Sequence, residues 1–434
     1  MSDPSATPGD AALRPSALDQ AFLELEQPGK PPLHIGFAVE IDGPAPSTAL
    51  MRALIAGAVG ATPDLTRRLV RDALTGAFRW FDDPWFDAGA HVDAFTVADL
   101  HDGAATDALI TRLFAEFLPR DRPLWRFQAL SDGAHTLMAG QLHHVLADGA
   151  RAVELALQLV GGILSDESPS PSAHLPAPTL LEGVRSDLAG LVRGATDLGV
   201  ISELALSAKP IIQALVQHTG PDWTGDREIV RSRIDLGPLR EGVRARGGTV
   251  TAALVVATAR ALRGTGIIDH HRSTAFVPLN ARRGGDPLTD GANLVSVIYA
   301  SLPSTGDPIA GLRQVTKELR MSRDNAGALS DLGRRADDLP NLVRGPIARS
   351  LTSQFLAPVI VSSVPGPPEE IELFGRRISG MWGWAPSPAG QPVALSAVSY
   401  AGGLHLTLVG DTDGIVDGAD TLRVIERELE HFTD

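Results

Sequence analysis

The stretch GQLHHVLADGARAVEL, Gly140 to Leu155, holds the residues most able to do chemistry. His143 and His144 are adjacent, and Asp148-Gly149 follows four residues after the second, in a chain with only 12 histidines among 434 residues. An imidazole with an ordinary pKa of about 6.5 is partly neutral near pH 7 and can take a proton from a substrate hydroxyl. Such a base contributes typically about 10²–10⁴-fold to a rate. Adjacent residues on a strand point to opposite faces, so the two rings need not share a task. Asp148 has two readings: a cap for a helix starting near Ala150, or an ion pair with an arginine that holds the loop. Arg282, at the end of FVPLNAR, is the candidate partner. Gly149 would let the chain turn there.

Other chemistries fit less well. His143, His144 and Asp148 make an arithmetical metal trio, but adjacent histidines diverge and no His-Glu-x-x-His supplies ligands on one face. We expect no metal and no resident cofactor. Zero cysteines exclude disulfides, thiolate metal sites and a cysteine nucleophile. Neither a Gly-x-Ser-x-Gly elbow nor a phosphate-binding Gly-x4-Gly-Lys-[Ser/Thr] loop is present. The second pair, His270-His271, lies among polar residues and reads as a solvated loop.

The elements that must position the pair are legible around it. WRFQALSDGAHTLMAGQLHH reads as a hairpin about a Ser-Asp-Gly turn, its second strand ending at the histidines. PPLHIGFAVEIDG alternates as a strand, and Ser47 to about Gly60 reads as a helix with Ser47 as its cap. Thr106 to Leu118 is helical in pattern, whereas FRWFDDPWFDAGAHVDAF reads as an extended, irregular wall. In the second half REIVRSRIDL, STAFVPLNARR, ANLVSVIYASLP and APVIVSSVPGPP read as strands, and PVALSAVSYAGGLHLTLVGD as a hairpin. TVTAALVVATARALRG, Ile309 to Arg349 and Ala419 to Phe432 read as helices.

The alternation favours two α/β layered domains, as does a length of 434 residues. The divisions are a flexible tail over 1–15, a first domain over 16–165, a Pro/Ser-rich linker with connecting helices over 166–222, and a second domain over 223–434. A net charge of −14 argues against nucleic acid as a partner. The first residues lack a signal peptide's apolar core and no apolar window would span a bilayer. A cytoplasmic protein is expected, with any membrane or lipid-droplet contact peripheral.

HHVLADG resembles the His-His-x-x-x-Asp-Gly motif of the CoA-dependent acyltransferase superfamily. Its companions resemble, in order, the bacterial wax ester synthase/diacylglycerol acyltransferase family: LRPSALDQAFLELEQPGKPPLHIGFAVEI, RPLWRFQAL, FVPLNAR…GANLVSVIYASLP, VIVSSVPGP and SYAGGLHLTLVGD. The resemblance implies two chloramphenicol acetyltransferase-like α/β sandwich domains with the active-site tunnel between them. It implies His144 as general base for an alcohol attacking an acyl-CoA thioester, with no acyl-enzyme, and His143 as support beneath the loop. Asp148 would pair with Arg282, and Asn293 and Pro123-Leu124-Trp125 would contact substrate. The partners implied are acyl-CoA and a lipid alcohol or diacylglycerol; monomer and homodimer both remain open. Arg126 stands where the family commonly has glutamate, and Thr251-Ala252 where it has Asn-Asp. These departures keep two alternatives in view: transfer to a secondary-metabolite alcohol or amine, and a non-catalytic acyl-CoA- or lipid-binding protein.

Overall fold

The structure, a computed structural model, describes residues 15–60, 62, 65–71, 78–147, 151–152, 155, 225–269, 273–280, 295–337, 357–415 and 417–433. Asp148, Gly149, Arg282 and Asn293 lie outside these residues, as do His270-His271, residues 1–14 of the tail and the whole of 166–222.

Helix α1 (Ala17–Leu25) begins at a capping box: the Ser16 hydroxyl accepts from the Asp19 N–H, and the Asp19 carboxylate accepts from the Ser16 N–H. Strand β1 (His34–Asp42) and helix α2 (Thr48–Gly60) follow. The expected Ser47 cap is in place, its hydroxyl accepting from the Leu50 N–H at 3.3 Å. The aromatic-rich stretch departs from the irregular wall expected of it. It holds β3 (Phe78–Asp82), paired with β2 (Arg67–Arg71), a 3-10 turn at Ala88–His91, and β4 (Val92–Thr96). Each of these strands has five residues, too few for alternation to stand out from prolines and acids.

Helix α3 (Gly103–Phe114) starts earlier than its apolar periodicity suggests, because Asp102 caps it by accepting from the Ala105 N–H. The hairpin is β5 (Trp125–Ser131) and β6 (His135–His143). After the undescribed span come β7 (Arg227–Asp235), α4 (Leu236–Ala245), α5 (Val250–Ala261), β8 (Thr274–Asn280), β9 (Val295–Ser301) and α6 (Pro308–Asp337). Then β10 (Val359–Pro365), β11 (Glu372–Leu373), β12 (Arg376–Trp384), β13 (Val393–Tyr400), β14 (Gly403–Asp411) and α7 (Gly418–Glu430) complete the order. Helical backbone is also described at Arg151, Ala152 and Leu155, where the helix after the pair is expected.

Two six-stranded sheets dominate, in the orders β11-β12-β1-β6-β5-β4 and β7-β14-β13-β10-β8-β9. Sheet membership does not follow the sequence boundary at 222. β11 and β12 belong to the second half, yet β12 pairs antiparallel with β1 across Gly36–Trp384 to Ile41–Ile378. This covers an edge of β1 that would otherwise present unpaired amides and carbonyls.

Apolar layers fix the sheets. On the second sheet α5 and α7 bury one face, with Leu254, Val255, Leu406, Leu408 and Ile425 wholly enclosed. On the first, Met51 and Ile55 of α2 share one buried cluster with Ile35, Val39, Met138 and Leu142. A third layer joins the halves, where Ala38, Leu137 and Ala139 meet Ile110 and Phe114 of α3, Ile360 and Val409. Burying each large aliphatic is worth about 1.5–3 kcal/mol, so the seam is held by packing before any polar contact is counted.

Candidate active site

β6 delivers the histidine pair to one end of the first sheet, and successive amides fix it from both sides. The His143 N–H donates to the Leu124 carbonyl at 3.0 Å, and the His144 N–H to the Leu33 carbonyl at 2.9 Å. The strand then turns, with the Leu146 N–H on the His143 carbonyl at 2.9 Å. The two side chains enter different surroundings. His143 is 0% exposed, whereas His144 is only partly buried and stacks on Phe22 of α1, ring centroids 4.1 Å apart.

The His143 ring meets a buried carboxylate. Glu26, the C-cap of α1, lies 3.4 Å from His143 Nε2 through Oε2 and 3.2 Å from His34 Nε2 through Oε1. Both ring contacts are bent away from good hydrogen-bond geometry. The same carboxylate accepts the Leu33 N–H on Oε1 at 3.0 Å and the Arg120 guanidinium on Oε2 at 2.6 Å. Four N–H groups therefore converge on one buried anion. Among the described residues no cluster of His, Asp and Glu is arranged to hold a metal ion.

Hydrogen bonds set the tautomers. The Val145 N–H donates to His143 Nδ1 at 3.1 Å, so the ring proton sits on Nε2, towards Glu26. The Gln141 amide nitrogen donates to the Glu116 carbonyl and to His34 Nδ1, placing that proton on Nε2 as well. Burial pushes the His143 pKa down to about 4 despite Glu26, and lowers that of His34 likewise. For Glu26 burial alone would raise the pKa. The contacts with His143 and His34 outweigh it and hold the carboxyl well below the usual carboxylate range. At neutral pH the cluster is an ionised glutamate between two neutral imidazoles.

The other expected residues fall into place unevenly. Pro123, Leu124 and Trp125 are buried, and their visible work is support. Leu124 accepts the His143 amide, and Trp125 stacks on His91 at 4.3 Å and donates its indole N–H to the Leu65 carbonyl at 2.7 Å. Trp125 also borders a cavity of about 410 Å³ with Phe95, Arg112, Glu116 and Arg126. There Arg126 pairs with Glu116 at 2.7 Å. Ala252 is wholly buried in the first turn of α5, its N–H held by the Thr249 hydroxyl. Sequence reasoning missed Phe22, Glu26, His34, Arg120 and Gln141. The available signal was an acid closing the apolar run AFLEL shortly before a strand that opens with histidine.

The first sheet takes strands from both halves of the chain and carries the histidine pair at the end of its central strand β6. The wax ester synthase/diacylglycerol acyltransferase catalytic domain model matches residues 16–222, and the family's C-terminal domain model matches 292–432. The chain belongs to this family and is an acyltransferase. It is 25% identical over 454 aligned residues to the probable diacylglycerol O-acyltransferase tgs1 of Mycobacterium tuberculosis, covering 95% of this chain and 94% of that one. A wax ester synthase/diacylglycerol acyltransferase from Marinobacter aquaeolei VT8 shares the fold with a TM-score of 0.63 at 19% identity, over 97% of this chain and 98% of that one. So does a starter condensation domain of rhizomide synthetase, solved with C8-CoA, with a TM-score of 0.62 at 14% identity over 96% and 94%.

Proposed function

We propose that this protein transfers a long-chain acyl group from acyl-CoA to a lipid alcohol or diacylglycerol, with His144 as the general base. The acceptor oxygen attacks the thioester carbonyl while His144 takes its proton. The C–S bond then breaks, and CoA leaves as the thiolate, which recovers the proton from the imidazolium. No residue carries the acyl group. Asp148 with Arg282 would hold the loop after the pair, and Asn293 would contact substrate.

One observation carries the assignment within the pair. His143 is 0% exposed, its Nδ1 is taken by the Val145 N–H and its Nε2 faces Glu26, so it has no nitrogen to offer a substrate. His144 keeps partial exposure at the same turn. The substrate class rests on membership of the family and on the names of its relatives.

The test is product mass spectrometry with mixed acyl-CoAs and a panel of long alcohols, diacylglycerol and polar acceptors, beside a free-thiol assay. Thiol should appear only when thioester and acceptor are both present. His144→Ala should lower that rate by at least about 10²-fold while remaining folded. Near-wild-type turnover in that variant would remove His144 from the mechanism. Product from polar acceptors alone would move the substrate away from lipids.

A further inference from the structure

Phe22 and Glu26 stand one helical turn apart at the end of α1, and side chains at i and i+4 share a face. Each meets a different member of the histidine pair: Phe22 stacks on His144, and Glu26 faces His143. The Glu26 N–H closes that turn on the Phe22 carbonyl at 3.1 Å, so the two contacts are made by one rigid unit. We infer that the end of α1 is a clamp on the pair, in which Glu26 is a positioning residue that acts on His144 through His143. This inference rests on His144 being the base.

Glu26 Oε1 faces the Leu33 N–H and His34, and Oε2 faces Arg120 and His143. A carboxylate is acceptor-only and suits all four. The negative charge of Glu26, 3.4 Å from Nε2, favours the His143 proton there and leaves Nδ1 to accept the Val145 N–H. That bond spans His144 and fixes the turn on which it sits. Leu33, held by Glu26 through its N–H, in turn accepts the His144 N–H through its carbonyl. Glu26 thus reaches the backbone of His144 by two routes and its ring by a third, through Phe22. The Glu26 side chain is only 2% exposed, so it is not placed to meet substrate.

Glu26→Gln keeps the shape but sets an amide NH₂ against two donors on one side of the site. Measured on the full chain with palmitoyl-CoA and hexadecanol, kcat should fall about tenfold or more, since small misplacements of a reacting group are costly. KM for palmitoyl-CoA should stay within about twofold, because the substrate-contacting surface is unchanged. His143→Asn retains an acceptor for the Val145 N–H but is too short to reach Glu26. In that background Glu26→Gln should cost less than about threefold, since contacting residues that act in series are non-additive. An equal loss in both backgrounds, or a loss confined to KM, overturns the clamp.

His144→Ala run in parallel separates the two ideas. An inactive His144→Ala with an unchanged Glu26→Gln sinks only the clamp, whereas an active His144→Ala sinks the base. A measurement on the wild-type protein covers the case in which Glu26→Gln does not fold. Imidazole nitrogen NMR, assigned with His143→Asn, should show His143 as the Nε2–H tautomer. A proton on Nδ1 in the neutral ring, or titration of this ring near its ordinary value of about 6.5, would overturn the proposal.

Discussion

Gln141 shows how much of the site depends on one side chain that does no chemistry. It is 1% exposed, and its NH₂ supplies both the His34 Nδ1 contact at 2.6 Å and the Glu116 contact at 3.1 Å. Gln141→Leu has nearly the same volume but leaves two acceptors without that donor. It should destabilise the protein by about 1–3 kcal/mol, read as a lower urea midpoint with an unchanged slope. A loss within experimental error would mean that His34 finds another donor, and with it another tautomer. At this scale the sequence showed the nucleus of the site but not its surroundings. HHVLADG stands out because its residues are contiguous. Glu26 and Arg120 do not, because their meaning lies in a contact made 94 residues apart in the chain.

Elements were legible where patterning was long and interrupted by clear turn residues. β5 and β6 are β-rich runs about Ser-Asp-Gly, and α5 is largely apolar, with Ala252 to Ala259 buried in succession. β12, RRISGMWGW, is not legible as a strand because Gly380 and Gly383 interrupt its pattern. In the structure those residues are complementary to β1: a Cβ at Gly36 would lie 2.0 Å from the Trp384 ring. A similar relation holds between β1 and β6, where a Cβ at Gly140 would lie 2.0 Å from Phe37 Cζ. Gly140→Ala should therefore cost about 1–3 kcal/mol by overpacking, seen as a lower melting temperature. Gly57 in α2 offers the contrast, being exposed with nothing within 4 Å of an added Cβ. Gly57→Ala should stabilise by about 0.5–1 kcal/mol, since only backbone entropy changes. If both substitutions moved stability in the same direction, glycine would not be serving close strand packing at position 140.

At the scale of the whole molecule, both sheets bury neutral histidines. His34 and His143 lie in the first, and His405 lies in the second, where burial and then the Arg233 charge push its pKa down to about 4. His405 is 0% exposed and meets the edge of Trp382 at 4.9 Å, so it sits at the seam where β12 of the first sheet crosses the second. Above about pH 6.5 these rings are neutral whether the chain is folded or unfolded, and they add no pH dependence. As pH falls below that value the unfolded chain takes up protons that the folded one refuses. Stability is lost progressively until the folded values are reached, near 4 for His143 and His405. Glu26 acts in the same direction at lower pH, since its folded value lies below its unfolded one. Each such histidine contributes a slope of up to about 1.4 kcal/mol per pH unit. Urea unfolding should therefore give a stability that falls steadily from about pH 7 to about pH 5, and His405→Leu should flatten that fall. An unchanged slope in this variant would show that His405 takes up its proton in the folded protein. A profile level across the range for the parent chain would contradict the neutral, buried state of His143 on which the geometry of the pair depends.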